Sequence, residues 1–225
     1  MKIKAQHSLD EYRYIIMFDL ASHISGICIW DLVKNIPIET DVIKITGTKY
    51  ELQVAELYEQ LDSFFQNLKY KGIELSQVLV YKEAMPSQLH GSNSTVQTFL
   101  SLSKSHAILD LYTYQHNIAM YDYIGVYPVS THSYLRKLNN WDNKRKIEKQ
   151  DTKDFVIKTY NNLPELTFDE ADAVFLAKTF LEVKWNKDLD EDIKAVKRHS
   201  KELKSEKGVN TCLDEIKRLE SLKRS

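Results

Sequence analysis

Four acidic residues, Asp19, Glu83, Asp169 and Asp172, occupy positions where a solvated surface charge is out of place. Asp19 closes the apolar run Tyr14-Ile15-Ile16-Met17-Phe18, and Glu83 follows Val78-Leu79-Val80-Tyr81-Lys82. Both therefore fall at the ends of buried strands, where an isolated carboxylate is costly unless a proton, a cation or hydrogen bonds compensate it. Asp169 and Asp172 stand three apart in Thr167-Phe168-Asp169-Glu170-Ala171-Asp172-Ala173-Val174-Phe175-Leu176, which reads as a helix start, so both can project from one helical face. Two strand ends and one helix face can converge. Such a group of carboxylates suits a hard divalent cation, Mg²⁺ or Mn²⁺. The chemistry it points to is metal-dependent cleavage of a phosphodiester.

The elements that must position these acids are legible as periodic segments. Tyr14 to Leu20, Gly26 to Leu32 and about Ile38 to Ile45 read as three strands of a meander. Residues 50–69 carry Leu52, Ala55, Leu57, Leu61, Phe64, Phe65 and Leu68 at helical spacing, and Gly72 stops that helix. The strand Val78 to Tyr81 follows, then a loop with Pro86 and Gly91 and a long helix over 94–117. Gly125-Val126-Tyr127-Pro128-Val129 reads as the last strand, with helices expected at about 131–139, 150–162 and 168–182. This order predicts an α/β protein: a mixed five-stranded sheet with helices on both faces.

With 225 residues, 43% of them hydrophobic, the chain can build one well-cored domain and an appendage. The expected division is an N-terminal extension at 1–12, the main domain at 13–182 and a charged helical tail at 183–225, free of aromatic residues after position 186. Leu213, Ile216, Leu219 and Leu222 supply one apolar stripe for a final helix. A net charge of −1 gives no global basic field, so a nucleic-acid surface must come from a local concentration of Lys and Arg. No run approaches the ~20 apolar residues of a membrane span, and Met1 to His7 lacks a signal peptide's apolar core, so a cytoplasmic protein with no membrane partner is expected. Cys28 and Cys212 are isolated and read as free thiols.

Plainer readings compete at several positions. Thr167 and Glu170 form a capping box, and in that role Asp169 merely favours the helix dipole. Asp172, followed by Ala173-Val174-Phe175-Leu176-Ala177, is not explained that way. Asp169-Glu170-Ala171-Asp172 also spells a helicase motif, but no G-x-x-x-x-G-K-[ST] loop exists among the six glycines, so no nucleotide cofactor is expected. Between Arg136 and Lys153 stand Arg136, Lys137, Lys144, Arg145, Lys146, Lys149 and Lys153 against Asp142, Glu148 and Asp151. That stretch is either a phosphate-contacting surface or a solvated loop.

The hairpin Ile15-Ile16-Met17-Phe18-Asp19-Leu20-Ala21-Ser22-His23-Ile24-Ser25-Gly26 resembles the first strand hairpin of the ribonuclease H-like superfamily. With Val78-Leu79-Val80-Tyr81-Lys82-Glu83 and Asp169-Glu170-Ala171-Asp172-Ala173 in the same order and spacing, the chain resembles the RuvC family of Holliday-junction resolvases, phage-encoded members included, over roughly residues 12–182. The glycine usual two residues after the first Asp is Ala21 here. The resemblance implies a ribonuclease H-like sheet, with Asp19, Glu83, Asp169 and Asp172 holding two Mg²⁺ ions, for which Mn²⁺ substitutes. It implies a lysine near the scissile phosphate, for which Lys153 matches best and Lys149 second. Lys144, Arg145, Lys146 and Arg136 would bind DNA, and Met85 or Leu89 would wedge into the junction. The family's activity implies a homodimer that nicks two strands of a four-way DNA junction, its subunits meeting along the helix at 94–117 through residues such as Phe99 and Leu102. Alternatives are a related nuclease acting on RNA, hybrids or other branched DNA, and a junction-binding protein that does not cut.

Overall fold

The computed structural model describes residues 9–85, 96–121, 125–202 and 206–223. The chain divides into two units, one ending at Ala177 and one spanning Lys178–Ser225. After a 3-10 turn at Leu9–Glu11, the first unit opens with β1 (Tyr14–Asp19), β2 (Ile24–Asp31) and β3 (Ile36–Lys44), each antiparallel to the next. Then come α1 (Tyr50–Tyr70), β4 (Val78–Lys82), α2 (Val96–Gln115), β5 (Ala119–Met120), α3 (Pro128–Leu138), α4 (Lys149–Thr159) and α5 (Phe168–Thr179). The sheet order is β3-β2-β1-β4-β5, with β4 parallel to β1 and β5 parallel to β4. It is the mixed five-stranded α/β sheet expected from the sequence.

β1 lies at the centre and is buried on both faces, which is why its sequence is an unbroken apolar run. Tyr14, Ile16 and Phe18 join one core with Leu57, Leu61, Phe64, Phe65 and Leu68 of α1 and Ile108, Leu109 and Tyr112 of α2. Phe65 stacks on Tyr112 with ring centroids 5.2 Å apart. By the two-residue alternation of a strand, Ile15, Met17 and Asp19 face the other way, and so do Cys28 and Trp30 of β2. α4 and α5 cover that second face: Tyr160, just past α4, packs edge-on against Trp30 at 5.5 Å, and the backbone of α5 lies against Gly26. Ile108, Leu109 and Tyr112 thus serve the core.

The strand expected at 125–129 is a correction. The fifth strand is Ala119–Met120, and Pro128 instead opens α3. Proline lacks the amide that a strand ladder needs but fits the first helical turn, where the amide has no partner anyway, and it holds the preceding Tyr127 extended. Val126 still runs beside the chain leaving β4, its carbonyl accepting from the Ala84 amide at 3.0 Å. The pairing strand is only two residues long, too short for a periodic signal. Asn117, with φ 51°, makes the turn from α2 into it.

In the second unit a π-helical turn, Phe180–Lys184, leads into α6 (Trp185–Glu202), and α6 pairs with α7 (Glu206–Ser221) as a helical hairpin. Leu189, Ile193 and Val196 of α6 and Cys212, Ile216 and Leu219 of α7 are buried, and the Trp185 indole donates to the Leu222 carbonyl at 3.0 Å. Leu213 departs from the expected stripe: it is 47% exposed, and Cys212 takes the inward place, because 212, 216 and 219 follow the i, i+4, i+7 spacing of one helical face. Among the described residues no helix is long and apolar enough to cross a membrane.

Candidate active site

Asp19 ends β1 and Glu83 follows β4, on neighbouring parallel strands. The register pairs Phe18 with Lys82, and the Glu83 amide donates to the Phe18 carbonyl at 3.0 Å, so one step further the two acids lie side by side and share a side-chain hydrogen bond. Across the other edge of β1, Asp19 pairs with Gly26. That glycine has a role the sequence pattern did not reveal: a Cβ there would stand 2.0 Å from the Asp169 carbonyl oxygen and 3.2 Å from the Ala173 Cβ. The missing side chain lets the first turn of α5 rest on the sheet beside Asp19. Gly125 does the same on the opposite side, where a Cβ would stand 2.4 Å from the Lys82 carbonyl and 2.7 Å from the Glu83 carbonyl carbon. Both glycines mark close backbone approaches at the acid cluster, one through a helix and one through the segment after β5.

The first turn of α5 is fixed by the predicted capping box. The Glu170 amide donates to the Thr167 hydroxyl at 3.2 Å, and the Thr167 amide donates to the Glu170 carboxylate at 2.8 Å. Thr40 of β3 donates to the other Glu170 oxygen at 2.8 Å. Glu170 is thus a structural acid, leaving Asp169 and Asp172 to face the site, each about a quarter exposed.

Lys149, the first residue of α4, reaches them both, with its Nζ 3.0 Å from Asp169 Oδ1 and 3.8 Å from Asp172 Oδ2. A second capping box, formed by Glu148 and Asp151, anchors the helix that presents it. Asp19, Glu83, Asp172 and Lys149 line one cleft of about 290 Å³ together with Thr131 and His132 of α3.

The electrostatics follow from bringing acids together out of water. Burial pushes Asp19 above the ordinary carboxylate range, against the Glu83 hydrogen bond and the Lys149 charge, which pull it down. Burial and the Asp19 charge push Glu83 up to about 9, and burial with the same Asp19 charge pushes Asp172 up to about 7. Near neutral pH the Asp19–Glu83 pair therefore keeps a proton between its oxygens. Burial lowers the Lys149 ammonium, but the Asp169 hydrogen bond and the charges of Asp172 and Asp19 outweigh it, and its pKa is raised.

Among the described residues no three His, Cys, Asp or Glu side chains, as they stand, surround one ion position. The donor chemistry nevertheless fits a hard divalent cation. The group offers oxygen donors only, carries more buried negative charge than it can hold ionised, and has already drawn an ammonium among its members.

Other residues singled out by the sequence lie elsewhere. Lys153 sits one turn further along α4, its Nζ 5.3 Å from the centre of the Phe168 ring and its charge felt by Glu170. It is Lys149 that contacts the acid pair. Arg136 donates to the Arg145 carbonyl at 2.7 Å. Arg145 stacks its guanidinium 3.6 Å over Trp141 and pairs with Asp151, and Lys146 pairs with Glu148, while Lys144 is exposed. Met85 is half-buried two residues after Glu83 and lines a neighbouring cavity with His106, which burial and the Lys82 charge hold neutral by lowering its pKa to about 4. Leu89, the other wedge candidate, lies outside the described residues.

No family model and no curated protein matches the chain. Among solved structures it is similar to T. thermophilus RuvC in complex with a Holliday junction substrate, at 13% identity and a TM-score of 0.50, over 75% of this chain and 92% of that one. It also aligns with the yeast mitochondrial Holliday junction resolvase Ydc2 at 14% identity and a TM-score of 0.43, over 76% of this chain and 78% of that one. The first likeness shows the fold: the sheet and its helices are arranged as in RuvC, the ribonuclease H-like architecture the sequence led us to expect.

Proposed function

We propose that the chain is a metal-dependent endonuclease that cuts branched DNA, and that its substrate is the four-way junction, resolved by paired nicks. The observation that carries this reading is the acid cluster. Asp19, Glu83 and Asp172 come from two strand ends and one helix, line a single cleft, and have a lysine ammonium among them. Structural ion pairs do not need three mutually repelling carboxylates at one end of a sheet. A phosphodiester-cleaving site does. The fold shared with RuvC, a protein solved on a Holliday junction, supports the choice of DNA substrate.

In this reading Asp19, Glu83, Asp169 and Asp172 hold two Mg²⁺ ions, which would activate water and stabilise the leaving oxygen. The chain's own residues do the positioning. To hold a cation, the Asp19–Glu83 pair would have to release its shared proton to solvent. Lys149, its side chain 61% exposed, turns from the acids to the scissile phosphate and neutralises charge that grows during cleavage. Lys153, one helical turn behind it, and the exposed Lys144 contact phosphates further away, with Arg136, Arg145 and Lys146 on the same surface. Met85, beside Glu83, is the apolar wedge candidate. The two-fold symmetry of a junction calls for two sites, and α2 offers a surface for a second copy. The expected Phe99 and Leu102 are partly buried, Leu102 against the core, whereas Val96, Leu100, Leu111 and Tyr114 are exposed and fall within an arc of about 60° on that helix at 100° per residue.

The deciding experiment incubates the purified chain with a synthetic four-way junction, a three-way junction and an RNA–DNA hybrid, each with Mg²⁺ and with EDTA. Mg²⁺-dependent, symmetric nicking of the four-way junction is the expected result. Preferential cutting of the hybrid would replace the substrate. Binding without cutting in Mg²⁺ or Mn²⁺ would replace the enzyme with a junction-binding protein.

A further inference from the structure

On the α1/α2 face of the sheet, behind the loop that follows Asp19, a cavity of about 740 Å³ is lined by Ser22, His23, Thr48, Gln53, Ser101 and Lys104 among others. Lys104, in the middle of α2, is only 5% exposed. Its partners among the described residues are a neutral amide oxygen, that of Gln53, and the ring of Tyr50 at 5.4 Å. Neither carries a negative charge. The nearby carboxylate of α1, Glu56, is already engaged by the adjoining loop: it accepts from the Thr46 amide at 2.9 Å, the Gly47 amide at 2.9 Å and the Thr46 hydroxyl at 2.9 Å. Gln53 is itself held, donating to the Gly47 carbonyl at 2.7 Å, so the amide that receives Lys104 is fixed in place.

An ammonium taken out of water without a counter-charge is costly, and burial lowers the Lys104 pKa accordingly. A cavity open beside such a group, with hydroxyls at Ser22, Thr48 and Ser101 to donate hydrogen bonds, has the chemistry of an anion site. Its position says which anion. Ser22 follows Asp19 by three residues, a reach of at most about 11 Å, close enough for one DNA strand to touch both. Tyr50, 61% exposed, offers an aromatic face on the same cavity, which a base or sugar can stack on and inorganic phosphate cannot use.

We propose that this cavity is a phosphate subsite for the DNA strand running from the cleavage site, with Lys104 as its charge and Ser22, Thr48 and Ser101 as its hydrogen-bond donors. The assignment to DNA rests on the nuclease reading above; the assignment to an anion rests on the cavity alone.

The test compares the full chain with Lys104→Met, in EDTA so that no strand is cut. Two quantities are measured: the melting temperature with and without inorganic phosphate, and the salt dependence of four-way junction affinity. Phosphate should raise the melting temperature of the wild type and leave that of Lys104→Met unchanged. The variant should itself melt no lower than the wild type, since it replaces a buried unpaired charge by an apolar chain of similar length. The slope of log affinity against log salt should fall by about 0.9, the value of one phosphate contact. Ser101→Asp, which offers the ammonium a carboxylate three residues earlier on α2, should abolish the phosphate response by occupying the site from within. A Lys104→Met protein that melts lower but still responds to phosphate makes Lys104 a structural residue and overturns the proposal. A lost phosphate response with an unchanged salt slope overturns the DNA assignment and leaves a site for free anions. Wild-type protein that binds no junction at any salt fails the nuclease reading, and the phosphate response separates that failure from failure of the anion site.

Discussion

Gly26→Ala tests how the site is assembled without touching a charged residue. A Cβ at this position would lie 2.0 Å from the Asp169 carbonyl oxygen and 2.6 Å from its carbonyl carbon. A comfortable carbon–oxygen contact is about 3.4 Å, so α5 must retreat by about 1.4 Å, or β2 must bend by as much. Overpacking of this kind costs about 1–3 kcal/mol. In a chain of this size that corresponds to a fall in melting temperature of roughly 2–12 °C. The same retreat draws Asp169 and Asp172 away from Asp19 and Glu83, and a misplacement of about 1 Å is enough to slow a reaction about 10²-fold. Thermal denaturation in EDTA measures the first effect, and single-turnover cleavage of a four-way junction well below the new melting temperature measures the second. Because the obstructing atoms are backbone, adding Ala173→Gly to relieve the 3.2 Å contact should not restore either value. A Gly26→Ala protein with wild-type melting and cutting would refute the close approach, and rescue by Ala173→Gly would move the clash to the side chain.

Four other outcomes are expected. Asp19→Asn, Glu83→Gln and Asp172→Asn should each slow junction cutting by at least about 10³-fold while gel-shift affinity in EDTA stays near wild type; unchanged cutting in any of the three removes that residue from the site. Lys149→Ala should slow cutting by about 10²-fold and more than Lys153→Ala does, since of these two lysines it is Lys149 that contacts the acid pair; the reverse order in single-turnover rates would return the role to Lys153. In EDTA the protein should lose stability as the pH rises. Glu83 goes from an ordinary 4.5 to about 9 and Asp172 from 3.8 to about 7, so the folded state keeps protons that the unfolded chain releases, and their stabilising effect, complete below about 4, fades up to about 9; melting at pH 6 should exceed that at pH 9, Glu83→Gln and added Mg²⁺ should each narrow the gap, and equal melting temperatures at both pH values would exclude a buried acid cluster. A charge at the exposed Leu111 or Tyr114 should give a folded monomer by sedimentation that nicks one strand at a time, and an unaltered dimer would exclude α2 as the contact.

Local sequence signals were sufficient for most of the elements, the fifth strand excepted, and for singling out the four acids. Strand alternation, the apolar run before Asp19, the spacing in α1 and the Thr167–Glu170 box are local signals, and local signals follow from the covalent geometry of strands and helices. They were enough to place Asp19 and Glu83 at strand ends and Asp169 and Asp172 on one face. What they could not decide is which groups meet. That Lys149 rather than Lys153 contacts the carboxylates depends on where α4 begins relative to α5, a distance between elements that periodicity does not encode. The fifth strand hid in Ala119 and Met120 because two residues carry no period, and its pairing is decided by β4 alongside it. Gly26 and Gly125 look like ordinary turn or strand glycines in one dimension. Only the packed structure shows that the carbonyls of Asp169 and Lys82 occupy the space their side chains would need. Lys104 is the extreme case, since a lysine within a helix reads as solvated until the neighbouring loop and α1 close over it. Sequence specifies the chemistry each residue can offer; the exclusion of water and the approach of backbones, both collective properties of packing, decide which of those chemistries is used.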